Sequence, residues 1–175
     1  FWIVHKATLQ TLVDQTIHSA NEFDGRSTAT ATHSMVKLLH LTNPKQRNLV
    51  GECQALWNAL LMTTRRHVNS GSFDAHSLSN LAWACAKATA DGIAKVDGRL
   101  LDDLAERAEL CAGDFSPQGL SNIAWGFVTM NHKAPSLFDA IAKISQERIT
   151  ELGPQALSNT SWAFETMSHE APSLF

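Results

Sequence analysis

Residues 115–138 read FSPQGLSNIAWGFVTMNHKAPSLF, and residues 152–175 read LGPQALSNTSWAFETMSHEAPSLF. The two runs agree at 15 of 24 positions without a gap, at a shift of 37 residues. A third copy, SFDAHSLSNLAWACAKATADGIAKVDGRLLDDLAE, starts at Ser72. Its Leu78-Ser79-Asn80 aligns with Leu120-Ser121-Asn122 at a shift of 42, whereas its Leu100-Leu101 aligns with Leu137-Phe138 at 37. The five extra residues fall in Asp91–Asp97, a polar stretch containing Gly92, where a repeat tolerates added length. Self-similarity at such a period is the signature of a repeat architecture.

Each unit divides into two helical patterns. Turning about 100° per residue from Leu120, the side chains of Leu120, Ile123, Ala124, Phe127, Val128 and Met130 share one broad arc. Gln118, Asn122 and Thr129 lie opposite. Pro117 and Pro154 suit a first helical turn, where a missing N–H is harmless. A second helix is expected from Ala134-Pro135 through Leu137, Phe138, Ile141 and Ile144 to about Gly153-Pro154. No strand-like alternation competes. The fold expected is all-α, an α-solenoid of stacked helix-turn-helix repeats with a 37-residue period. Residues 73–175 hold three helix-pair repeats (73–114, 115–151 and a truncated 152–175), and residues 1–72 hold divergent repeats.

In that N-terminal part a helix is expected over Lys6–Ala20, a turn over Phe23–Ser27, a helix over Thr30–Leu41, and a longer helix opened by Asn43-Pro44 and closed by Asn69–Phe73. The second helix of the final unit begins at Ala171-Pro172 and stops at Phe175, so the chain is expected to be a piece of a longer protein.

With 44% hydrophobic and 18% charged residues the chain has the balance of a folded protein, and it contains no apolar run long enough to span a membrane. The net charge of −3 argues against a nonspecific nucleic-acid clamp. That charge is uneven: residues 1–70 carry seven basic and four acidic side chains, residues 71–175 seven and thirteen. Cys53, Cys85 and Cys111 show neither CxxC nor finger spacing and read as small buried hydrophobes; no metal or cofactor is implied. GxSxG, Walker, HExxH and GxGxxG signatures are absent, and the chain reads as a non-enzyme.

Two features recur with the unit. Trp83, Trp125 and Trp162 stand at the border of the apolar arc, where an aromatic wedge between units is the favoured reading and a base-stacking platform the other. The polar stripe repeats as His76, Asn80 and Lys87, then Gln118, Asn122 and Thr129, then Gln155, Asn159 and Thr166. Stacked first helices would turn these into three rows on one wall. Asn and Gln offer donor and acceptor together, the chemistry with which modular readers contact one base per repeat. An inter-repeat hydrogen-bond ladder of the asparagines is the competing reading. Arg65 and Arg66, with Lys45, Arg47 and His67, form a basic group that could grip phosphates, while Asp102, Asp103 and Glu106 read as a solvated acidic face.

Leu-Ser-Asn-x-x-Trp-x-Phe-x-x-Met at 120–130 and 157–167, followed by Ala-Pro-Ser-Leu-Phe, resembles the octotricopeptide and heptatricopeptide repeat families. These are helix-pair proteins of algal and protist organelles, related to FAST-kinase and RAP-domain proteins. The resemblance implies a protein of the chloroplast or mitochondrion that binds single-stranded RNA and acts in RNA stability, processing, translation or ribosome assembly. Other proteins of a ribonucleoprotein or membrane-associated complex would be further partners. Carried onto this chain, the RNA contacts would be the stripe residues with Arg65 and Arg66. The alternative is a non-catalytic, armadillo-like protein-binding scaffold, suited to basic partners by the acidic units.

Overall fold

The structure, a computed structural model, describes residues 2–41 and 50–167, with side chains from 10–39 and 54–167. Among the described residues the fold is eight α-helices without a strand: α1 (Trp2–Ser19), α2 (Gly25–Leu41), α3 (Val50–Ser70), α4 (Ala75–Ala90), α5 (Gly98–Leu110), α6 (Pro117–Thr129), α7 (Pro135–Glu147) and α8 (Pro154–Thr166). Short 3-10 turns at Ala20–Glu22, Ala112–Asp114 and Ile149–Glu151 follow α1, α5 and α7. The openings expected at Asn43-Pro44 and Ala171-Pro172 lie outside the described residues.

Local chemistry sets the helix ends. The carboxylates of Asp24 and Asp74 accept the N–H groups of Ser27 and Ser77 at 2.7 Å each, and Ser116 Oγ accepts that of Gly119 at 3.1 Å. The Asp24 cap explains why α2 begins at Gly25, inside the stretch expected to be a turn. After α3, α4 and α6 the chain passes through a left-handed residue, Gly71, Gly92 or Asn131, with φ of 70°, 66° and 52°. In each case the next residue's N–H returns to a carbonyl one turn back, as in Ser72 to His67, Ile93 to Ala88 and His132 to Phe127. The five added residues follow the Gly92 turn, beyond the point where α4 has already ended.

Helices α2, α4, α6 and α8 lie side by side as one layer, and α1, α3, α5 and α7 form the other. The stack is therefore an α-solenoid of helix hairpins led by a single helix, α1. Small buried residues bring the first-helix layer close together: Ala82, Ala84, Ala88, Ala124 and Ala163 are buried, and a Cβ placed on Gly126 would stand 3.1 Å from the carbonyl oxygen of Ala82. Between the layers Leu78, Leu81, Leu120, Ile123, Phe127, Leu137, Phe138 and Phe164 make one continuous core, with Phe138 and Phe164 edge-to-face at 5.4 Å. Each such side chain contributes about 1.5–3 kcal/mol by leaving water.

Arginines near the ends of the second helices stitch neighbouring units. Arg66 Nη2 donates to the carbonyls of Asn21 (2.9 Å) and Phe23 (3.4 Å), Arg107 to Gly71 (3.4 Å), and Arg148 to Phe115 (2.7 Å). Each carbonyl belongs to the connection leading into a first helix, so the two layers are tied where consecutive hairpins meet. No helix among the described residues is long and apolar enough to cross a membrane.

Candidate nucleic-acid interface

The caps fix a common register. Asp74, Ser116 and Gly153 immediately precede α4, α6 and α8, and the stripe residues stand two, six and thirteen positions beyond each. These three helices are consecutive in one layer, and the first two rows meet on one wall between α6 and α8.

Between α6 and α8 the wall opens into a groove of about 440 Å³ lined by Ser116, Gln118, Ser121, Asn122, Gln155 and Asn159, among others. Gln118 and Gln155 are exposed, while Asn122 and Asn159 are half-buried. Beside these four amides, Ser121 is buried and its hydroxyl donates to the Gln118 carbonyl at 2.9 Å, while Ser116 Oγ accepts the Gly119 N–H. Among the described residues none of these four side-chain amides has a hydrogen-bond partner, and no bond joins Asn80, Asn122 and Asn159. The asparagine ladder is therefore not what this arrangement holds. Each amide keeps a carbonyl acceptor and two N–H donors available to a ligand.

On α4 the same positions are already engaged. Asn80 Nδ2 lies 3.0 Å from His76 Nε2, and Lys87 Nζ is 2.9 Å from Asp91 Oδ1 with both side chains largely covered. Thr129 and Thr166 close α6 and α8; Thr166 Oγ1 contacts Glu165 Oε2 at 3.4 Å. Arg65 and Arg66 belong to α3, in the other layer. Arg65 forms an ion pair with Asp97, and Arg66 holds the carbonyls described above. The structure thus brings Gln118, Asn122, Gln155 and Asn159 together in one groove and leaves these two arginines on the other layer.

Trp83 and Trp125 are half-buried and Trp162 is 45% exposed, unlike Trp57, which is sealed in the core. The wedge expected from the sequence is thus partial: each ring stays partly exposed. Trp83 stacks on His33 of α2, with ring centroids 4.6 Å apart and 25° between planes. Burial, followed by the charge of Lys37, lowers the His33 pKa below its ordinary value and favours a neutral ring.

The stack exposes a further register that the sequence pattern hides. Phe23-Asp24-Gly25-Arg26-Ser27 matches Phe73-Asp74-Ala75-His76-Ser77 at its first, second and last positions, with Asp24 and Asp74 capping the same way. In that register Arg26, Thr30, His33 and Lys37 are the α2 counterparts of His76, Asn80, Trp83 and Lys87. The five-residue match is the signal that could have found them. It is easily missed because α2 lacks the Leu-Ser-Asn and Trp that mark the other units.

Charge separates by layer. Within α2, α4, α6 and α8 the ionisable Lys, Arg, Asp and Glu residues are Arg26, Lys37, Lys87 and Glu165. Asp102, Asp103, Glu106 and Glu109 sit on α5, and Asp139 and Glu147 on α7. Six of the acidic side chains of the C-terminal units thus stand on helices of the layer opposite the amide wall, while Asp74 and Asp91 bracket α4 within it. Fold and site together define an all-α solenoid of helix hairpins with an amide-lined groove between α6 and α8. No family model matches the chain.

Proposed function

We propose that this chain is an RNA-binding helical repeat protein that takes single-stranded RNA along the wall of α2, α4, α6 and α8. The observation that carries the reading is the α6–α8 groove, where Gln118, Asn122, Gln155 and Asn159 present amides without partners. An amide satisfied within a protein contributes to the fold. One left open in a groove is free to pair with a ligand that offers donor and acceptor side by side, as a base edge does. Half-exposed indoles beside the rows supply faces on which bases stack, and the layer that carries them contains a single acidic residue within its helices, Glu165.

The likeness of the Leu-Ser-Asn-x-x-Trp pattern to octotricopeptide and heptatricopeptide repeats supports the same reading. It adds a setting in the chloroplast or mitochondrion and a role in RNA stability, processing, translation or ribosome assembly, without catalysis by this chain. The acidic face of α5 fits a basic protein of the same assembly.

Fluorescence anisotropy with labelled single-stranded RNA, duplex RNA and a basic peptide tests the proposal. Single strands should bind best. Replacing Asn122 and Asn159 together by Ala should weaken binding and relax sequence preference, by roughly 1–3 kcal/mol for each base left unread, on the scale of bidentate readout. RNA binding indifferent to this double change, with tight binding of the basic peptide, would establish the scaffold instead.

A further inference from the structure

We infer that α2 supplies the first register of this wall, with Arg26 and Lys37 as its phosphate contacts in place of Arg65 and Arg66. The inference rests on the RNA reading and specifies which cations serve it.

Three observations place α2 in the wall. It packs directly on α4 within the first-helix layer. Its Asp24 cap matches the Asp74 cap of α4, so both helices start at the same height. The His33–Trp83 stack joins the two helices at the aromatic position of the register, so the aromatic row continues across the junction.

The chemistry differs along the wall. At α6 and α8 the stripe is amide and hydroxyl, with no cation. At α2 the outer two stripe positions are both cationic. Arg26 and Lys37 are eleven residues apart, about 16 Å along the helix axis, and so flank the wall at its two rims with Thr30 and His33 between them. Both are exposed. Arg26 reaches Asp74 Oδ2 through Nη2 at 3.0 Å while its side chain stays 76% exposed, and a guanidinium has further N–H groups to offer. Lys87, the next cation in the rim row, is held by Asp91 and largely covered. Arg65 and Arg66 belong to α3 in the other layer and hold Asp97 and backbone carbonyls. Among the cations within the helices of this layer, those open to a strand lying on the amide rows are therefore Arg26 and Lys37 of α2. Phosphate contacts hold a strand without reading it, whereas amide contacts discriminate bases. The wall thus divides into an anchoring end at α2 and a reading end at α6 and α8.

The test uses the full chain and a fluorescein-labelled mixed-sequence 20-nucleotide single-stranded RNA, titrated at several salt concentrations. Lys37→Gln and Arg26→Gln should weaken binding of every RNA alike and reduce the slope of log affinity against log salt by about 0.7 for each phosphate no longer neutralised. Arg65→Gln should leave that slope unchanged, and Asn122→Ala should weaken binding at constant slope. Thermal unfolding of each variant verifies that the fold persists. If the chain binds RNA and responds to Asn122→Ala, yet Lys37→Gln and Arg26→Gln bind with the parental slope, α2 is not the anchor and the inference falls while the RNA reading stands. If the unaltered chain binds no RNA, both fall.

Discussion

Removing the Asp74 side chain perturbs a helix cap and an inter-unit tie at once. The carboxylate accepts the Ser77 backbone N–H at 2.7 Å and pairs with Arg26 at 3.0 Å. Hydrogen bonds from Ser77, and then the Arg26 guanidinium, hold its pKa at about 2 against an ordinary 3.8. That difference corresponds to about 2.4 kcal/mol of preference for the charged form in the folded protein. The side chain is 47% exposed, so solvent screening lowers the contribution to about 1–1.5 kcal/mol. This agrees with the usual loss on deleting an N-cap, about 0.5–2 kcal/mol. Because the folded pKa is depressed, the stabilisation is fully present above about pH 4 and disappears as pH falls through about 2. Asp74→Ala should accordingly lower urea stability at pH 7 by about 1–1.5 kcal/mol. Its stability should also fall less steeply than that of the parent between pH 4 and pH 2. Asp74→Asn, which retains a capping oxygen, should recover most of the loss at pH 7 and keep the shallower acid profile. Parental urea midpoints for Asp74→Ala, with superimposable acid profiles, would refute both the cap and its linkage to pH.

Arg66→Ala should destabilise the fold by about 1 kcal/mol, through removal of the bonds to Asn21 and Phe23, and leave RNA affinity unchanged. Trp125→Ala should lower RNA affinity by about 1–3 kcal/mol if its half-exposed ring stacks a base, and anisotropy beside thermal unfolding separates that loss from destabilisation. The Cys85 thiol is pushed up to about 12 by complete burial, so peptide mapping after iodoacetamide treatment at pH 8 should find it unmodified in the native protein and modified once urea unfolds the chain.

The helices are legible in the sequence where two independent signals coincide. At α6 an apolar arc and a proline in the first turn agree, and Pro117–Thr129 is the helix they describe. At α2 the arc stands without such support. Thr28 and Thr32, both buried, give the opening turns a polar look, although their hydroxyls are satisfied by the carbonyls of Asp24 and Thr28 one turn back. A satisfied buried threonine and a solvent-facing one are the same letter, so the pattern puts the start at Thr30 and the structure puts it at Gly25. The stripe is legible for a different reason. It needs only register, and register survives translation from one helix to the next. What register cannot disclose is whether a side chain already has a partner. Asn80 and Asn122 are equivalent letters, yet one meets His76 and the other, four residues beyond Gln118, stands open.

Charge shows the same limit on a larger scale. Summed along the chain, the C-terminal units are acidic, and that sum argues against RNA there. A solenoid assigns alternate helices to opposite layers, so charge sums over whole units average two surfaces that no ligand meets together. Counted by layer, the acids of α5 and α7 lie behind the core formed by Leu120, Phe127 and Phe138, which separates them from a strand on the amide wall. Counted in the same way, Arg65 and Arg66 belong to the layer away from the amide wall, and Arg26 and Lys37 to the layer that carries it. The mobile ions of a physiological buffer sharpen the distinction, since charges farther apart than about 8 Å through solvent are largely screened. Electrostatic attraction to this chain is thus decided by the few cations on the layer that a ligand touches, and the net charge of −3 describes no surface that an RNA would encounter.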